Sequence, residues 1–140
     1  MYLIDTNVIS DLRRKEKTNP GVANFFKNAA DKTQPTFLSA ITIGELRRGI
    51  ERIRHRGDIE QASILNAWLR LVLQQFEQRI LSFDAEAAQM WGRLRVPNPD
   101  HELDKQIAAI ALVKDLTVVT RNIADFTGTG VRLINPFLPS

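Results

Sequence analysis

The chain has 140 residues, 44% of them hydrophobic, enough to bury about two-thirds of its unfolded surface around one core, so a single domain over residues 1–140 is expected. Cysteine is absent, which excludes disulfide frameworks, thiolate zinc sites and cysteine nucleophiles and suits a reducing, cytoplasmic setting. A net charge of +3 permits a polyanionic partner, and the apolar runs fall well short of the roughly 18 residues of a membrane span, so no membrane partner is expected.

Met1 leads directly into an apolar segment with no basic region ahead of it, so no export signal is visible. Residues 2–5 (YLID) read as a buried strand, and Val8 to Arg14 as a short helix ending in Arg13, Arg14 and Lys15. Asn19 followed by Pro20 marks a helix start, with Asn as the cap and Pro at the first helical position. After Pro35, TFLS (36–39) reads as a second strand. Ile43, Leu46, Ile50 and Ile53 then recur at offsets of three, seven and ten, the signature of a helix with one apolar stripe. Gly57 and Asp58 break it and cap a longer amphipathic helix through Ala62, Leu65, Leu69, Val72 and Phe76, so the two helices form a hairpin.

RILSF (79–83) is a third strand, and Asp84 caps a helix through Met90, Trp91 and Leu94. VPNPD (96–100) cannot be helical. A helix from about Leu103 to Val113, a strand at TVVT (117–120) and another at VRLI (131–134) complete the chain. Five short apolar strands alternating with helices imply an α/β fold with a mainly parallel five-stranded sheet, covered on both faces.

In open sheets of this kind, ligands sit beyond the carboxyl ends of the strands, where the strand order reverses. Asp5 ends the first strand, where it could serve either as a turn or N-cap residue or as a ligand-facing acid. Glu45 lies next to Leu46 of the buried stripe and borders the core, although a lone glutamate there is ordinarily a solvated helix-face residue. Asp104 opens DKQIAAIA, with Ala108 and Ala111 on its side of the helix; its ordinary role would be to stabilise the helix dipole. Asp125, in TRNIADF after the fourth strand, is the fourth acid.

Singly these acids are unremarkable, but the fold would gather all four at one sheet edge. Packed carboxylates repel unless cations neutralise them. Hard oxygen ligands without a His or Cys cluster point to Mg²⁺ or Mn²⁺ rather than zinc. His55 and His101 show no spacing for a metal pair and are read as surface residues. Trp68 and Trp91 fall on helices and are read as packing residues rather than base-stacking platforms.

The succession MYLIDTNVIS, ITIGELRRGI, DKQIAAIAL, VVTRNIADF and VRLINPF resembles the PIN-domain ribonucleases, specifically the VapC-type toxins of bacterial toxin and antitoxin pairs, over almost the whole chain. The resemblance implies a PIN-like three-layer α/β/α sandwich, with Asp5, Glu45 and Asp104 as the acidic metal-binding core and Asn7 and Thr120 supporting it by hydrogen bonding. The chain departs from the commonest pattern at Asn122, where many relatives carry the fourth acid, and Asp125 three residues later is the substitute. The implied activity is metal-dependent endoribonuclease cleavage. The implied partners are RNA, a cognate VapB-like antitoxin and a second copy of the chain.

Arg47, Arg48 and Arg13 are candidates to hold the RNA backbone, against the plainer role of a solvated basic face. A haloacid-dehalogenase-like phosphohydrolase is a rival reading, but it needs a second acid two residues after the first, where this chain has Asn7. A receiver-like binding module expects its acid after a middle strand, and a PIN scaffold that grips RNA without cutting it is the remaining alternative.

Overall fold

The computed structural model describes residues 1–137. Its sheet has five strands in the order β3-β2-β1-β4-β5: β1 (Tyr2–Ile4), β2 (Thr36–Ser39), β3 (Ile80–Leu81), β4 (Thr117–Val119) and β5 (Leu133–Ile134). Every neighbouring pair is parallel. From β1 the chain builds outward through β2 to β3, then crosses back to place β4 on the other side of β1. The reversal of strand order therefore falls between β1 and β4, at the carboxyl ends that carry Asp5 and Thr120.

Strand alternation decides the layering. Ile4, Leu38 and Val119 point to one face and join a core with Val8, Val22, Leu46, Ile50 and Leu69 from α1 (Thr6–Asp11), α2 (Pro20–Asp31), α3 (Ala40–His55) and α4 (Ile59–Gln75). Their neighbours Leu3, Phe37 and Val118 point to the other face, against Ala87, Ile107 and Ala111 of α5 (Ala85–Leu94) and α6 (Glu102–Lys114). The result is the expected three-layer sandwich.

The helix boundaries follow their caps. Asn19 Oδ1 accepts from Gly21 and Val22 N with Pro20 at the first helical position, Asp58 caps α4, and Asp84 caps α5. α3 and α4 pack as the expected hairpin, and Gly57 between them takes φ +93°, a left-handed conformation that glycine adopts without strain.

Three expectations need correction. The strand read at 79–83 shortens to Ile80–Leu81, and the one read at 131–134 to Leu133–Ile134. Both are sheet edges, where short strands leave little unpaired backbone exposed. The helix read from Val8 to Arg14 is α1 followed by a 3-10 stretch, Leu12–Lys17, interrupted at Lys15 (φ 55°). Among the described residues, no helix is long and apolar enough to cross a membrane.

Ile4 is fully buried immediately before Asp5, so its packing sets where the first acid stands. Replacing Ile4 by Ala is expected to cost about 2–5 kcal/mol, read as a lowered urea-unfolding midpoint with an unchanged slope. A loss below ~1 kcal/mol would show that this packing does not anchor the strand end.

Candidate active site

β1 stops at Ile4, and Asp5 becomes the N-cap of α1, in extended backbone (φ −72°, ψ 160°). Of the two roles read as alternatives from the sequence, the cap is filled by one carboxylate oxygen, while the other oxygen is held by side chains. Oδ1 accepts from the Thr6 backbone N at 2.8 Å and caps the helix; Oδ2 accepts from Thr120 Oγ1 at 2.7 Å and Asn7 Nδ2 at 3.3 Å. Only 4% of Asp5 is exposed. Burial pushes its carboxyl above the usual aspartate range, against the hydrogen bonds from Thr120, Thr6 and Asn7; the charge of Asp125 adds to the upward push.

Asn7 and Thr120 stand where the sequence reading put them. Thr120 is fully buried. Its hydroxyl donates to Asp5 and accepts from Asn7 Nδ2 (3.3 Å) and from the Asn122 backbone N (3.0 Å). Asn7 Oδ1 in turn accepts from the Arg121 backbone N at 3.0 Å. Asn122 takes part through its backbone N, while the residue itself is exposed.

Glu45 reaches the site from α3. The Thr6 hydroxyl donates to Glu45 Oε1 at 2.9 Å, tying α3 to the turn that holds Asp5. Burial raises the Glu45 carboxyl; the Thr6 bond opposes this, the Asp5 charge adds to it, and Arg48 opposes it. Asp104, in the first turn of α6, is pushed up to about 6, first by burial, then by the charges of Asp5, Asp125 and Glu45, with His101 acting the other way. Asp104 thus feels all three other acids, so the four share one electrostatic neighbourhood.

Asp125 arrives on a 3-10 turn, Ile123–Phe126, closed by its own N–H to the Asn122 carbonyl at 3.0 Å.

Sequence reasoning passed over Thr6, which joins the first and second acids through its backbone N to Asp5 and its hydroxyl to Glu45, although it stands in the quoted I-D-T-N. It also read His101 as a surface residue. His101 is half exposed, but its Nδ1 lies 3.7 Å from Asp104 Oδ2 and 3.8 Å from Asp125 Oδ1. The signal was there in D-H-E-L-D, since residues three apart on a helix start share a face.

Arg47 lies 3.9 Å from Glu51, as on an ordinary solvated face, whereas Arg48 sits near enough to Glu45 to stabilise its charge. Arg13 lines a groove with Thr6, Ser10, Glu45, Gly49 and Trp68 that opens beside the acids. Trp68 packs against the core and Trp91 donates Nε1–H to the Glu102 carbonyl at 3.2 Å, so both serve packing as expected.

The PIN domain family model matches residues 2–127. The chain is 36% identical to the plasmid stability protein StbB of Pseudomonas syringae pv. tomato, with 98% of this chain and 99% of the relative covered. It is 32% identical to the toxin FitB of Neisseria gonorrhoeae over 98% and 99% of the two chains. It is 30% identical to the VapC ribonuclease Y4jK of Sinorhizobium fredii over the full length of both. The crystal structure of FitAcB from Neisseria gonorrhoeae superposes with a TM-score of 0.82 at 32% identity, covering 98% of this chain and 99% of that one.

The raised Asp104 carboxyl carries a consequence for stability. Its proton is held up to about pH 6 in the folded chain but released near 3.8 when unfolded. The contribution is therefore favourable below about 3.8 and lost as pH rises through about 6. In chelator at pH 8, Asp104→Asn is expected to stabilise the protein by on the order of 1–3 kcal/mol, with the gain vanishing near pH 4. Urea titrations at the two pH values test this, and an equal gain at both would show that repulsion at Asp104 is not its source.

Proposed function

Because this chain belongs to the PIN-domain family, we propose that it is a divalent-metal-dependent endoribonuclease, the toxin of a toxin and antitoxin pair restrained by a cognate VapB-like antitoxin. The observation that carries this reading is the meeting of Asp5, Glu45, Asp104 and Asp125 at the reversal of strand order. The kinship with a protein named as a VapC ribonuclease and with one named as a toxin supports the substrate and the biological role.

The residues fit a hard divalent cation. The donors are carboxylate oxygens drawn from four elements, and burial and repulsion disfavour the charged forms of Asp5, Glu45 and Asp104 until a cation balances them. Asp5, Glu45 and Asp104 would hold the principal ion, and Asp125 would contribute to a second ion or to water placement. Oxygen donors favour Mg²⁺, with Mn²⁺ as the alternative. When bound, such an ion makes a nucleophilic water more acidic and balances the charge developing at phosphorus.

The chain supplies position. Thr120 and Asn7 fix one Asp5 oxygen, the α1 N-terminus fixes the other, and Thr6 fixes Glu45, so the acids need little reorganisation when a substrate phosphate arrives. Arg13 and Arg48 flank the Glu45 side, where they would draw in the flanking phosphates, with Arg47 turned towards Glu51. No side chain is required as a covalent nucleophile. The attacking water displaces the 3′ oxygen in line, leaving a 5′-phosphate and a 3′-hydroxyl. Self-association would have Ile64 and Leu71, both more than half exposed on α4, as apolar groups to cover.

Purified protein with single-stranded RNA and Mg²⁺ is expected to cut the RNA, and chelator or Asp5→Asn to slow the reaction at least ~100-fold. Products are expected to carry 5′-phosphates, with a 2′-deoxy nucleotide at the cut site tolerated. Cyclic phosphate products, or full loss on 2′-deoxy substitution, would sink the water mechanism. In cells, expression alone is expected to arrest growth, and the same expression of Asp5→Asn to leave growth unchanged.

A further inference from the structure

α6 starts in an unusual way. Its N-cap residue, His101, sits in left-handed backbone (φ 57°, ψ 50°) and makes no side-chain cap hydrogen bond. The preceding loop is pinned from several sides. The Arg95 guanidinium donates to the Pro99 carbonyl at 3.2 Å, Asn98 Oδ1 accepts from the Asp100 N at 2.8 Å, and the buried Lys105 ammonium donates to the Asn98 carbonyl. The His101 carbonyl accepts from the Lys105 N at 2.9 Å. The imidazole is thus delivered by a fixed backbone.

It is delivered to the acids. One ligand atom each from His101, Asp104 and Asp125 lies within 4.8 Å of the others. The Nδ1 separations of 3.7 and 3.8 Å are beyond hydrogen-bonding range, so neither carboxylate bonds the ring directly. They are still within the span of two bonds of about 2.0–2.2 Å made by nitrogen and oxygen to one first-row metal ion. An imidazole is a softer donor than carboxylate and favours transition metals over Mg²⁺.

Building on the metal-dependent reading above, we propose that His101 is a nitrogen ligand that, with Asp104 and Asp125, gives this site a preference for Mn²⁺ over Mg²⁺. Nδ1 is the ligating atom and Nε2 carries the ring proton. The aspartates stay the shared anchor for either ion, and the imidazole adds its donor only where the ion accepts nitrogen well.

The test is a titration of the full chain with Mn²⁺, followed by the paramagnetic resonance of the free ion, with Mg²⁺ measured by displacement of bound Mn²⁺. His101→Asn keeps a residue that tolerates left-handed backbone while removing the imidazole. It is expected to weaken Mn²⁺ by about tenfold or more, no less than the loss of a residue that merely orients a ligand, and Mg²⁺ by less than ~2-fold. Electron spin echoes of the unmutated protein with Mn²⁺ bound are expected to show nitrogen modulation that His101→Asn abolishes. This second readout does not depend on comparing stabilities.

Absent nitrogen modulation, or an equal loss for both ions, would overturn the proposal. Either result alongside metal-dependent RNA cleavage by the unmutated protein overturns His101 as a ligand and leaves the nuclease reading standing. Nitrogen-ligated Mn²⁺ in a protein that cleaves no RNA does the reverse.

Discussion

The arrangement rests on one constraint: an ionisable carboxylate, Asp5, is buried at the point where the sheet reverses its strand order. Burying a charge is expensive unless hydrogen bonds or opposite charge offset it. Here three donors do so from three directions: the α1 N-terminus through Thr6 N, the end of β4 through Thr120, and the α1 side chain of Asn7. Thr6 and Asn7 are local to the turn, but the Thr120 donor is there only because β1 and β4 lie side by side in register, with Ile4 opposite Val119. Fold and site therefore depend on the same crossing, and a fault in either would disturb the other.

The polar groups behind the acids are matched to their capacity. A threonine hydroxyl has one proton and two acceptor positions. Thr120 uses all three, giving its proton to Asp5 and accepting from Asn7 and from Asn122 N. Thr6 gives its proton to the nearer acceptor, Glu45 at 2.9 Å, rather than to Thr42 at 3.2 Å. Thr42 in turn accepts from Ser39, whose oxygen caps α3 through Thr42 N. Among the described residues, no buried side-chain polar atom lacks a partner. Such a network holds its members in one arrangement, because any rotation would leave a buried group unpaired.

Most of the fold was legible because its signals are local. The 3.6-residue stripe of α3, the Asn-Pro start of α2 and the capping aspartates at 58 and 84 each act within one or two turns. The edge strands were overread because apolar runs such as Arg79 to Phe83 state what can pair, whereas the length of the pairing depends on how far the neighbouring strand extends. The charge coupling of Asp104 to the acids that follow β1, β2 and β4 fits the strand topology. Thr6 and His101 escaped for different reasons: one acts through a residue 39 positions away, and the other was weighed only for pairing with a second histidine although Asp104 stands three residues on.

Asn122 and Asp125 divide two duties just after β4. The backbone N of residue 122 is already committed to Thr120, a duty that any residue other than proline can perform. The Asn122 side chain takes no part in that bond. A 3-10 turn then carries the chain to Asp125, and the Asp125 N–H to Asn122 carbonyl bond closes that turn. Phe126, buried against Ile107 and Val118, keeps the turn from rotating. The turn thus brings the charge of Asp125 close enough to Asp5 and Asp104 to push both carboxyls upward.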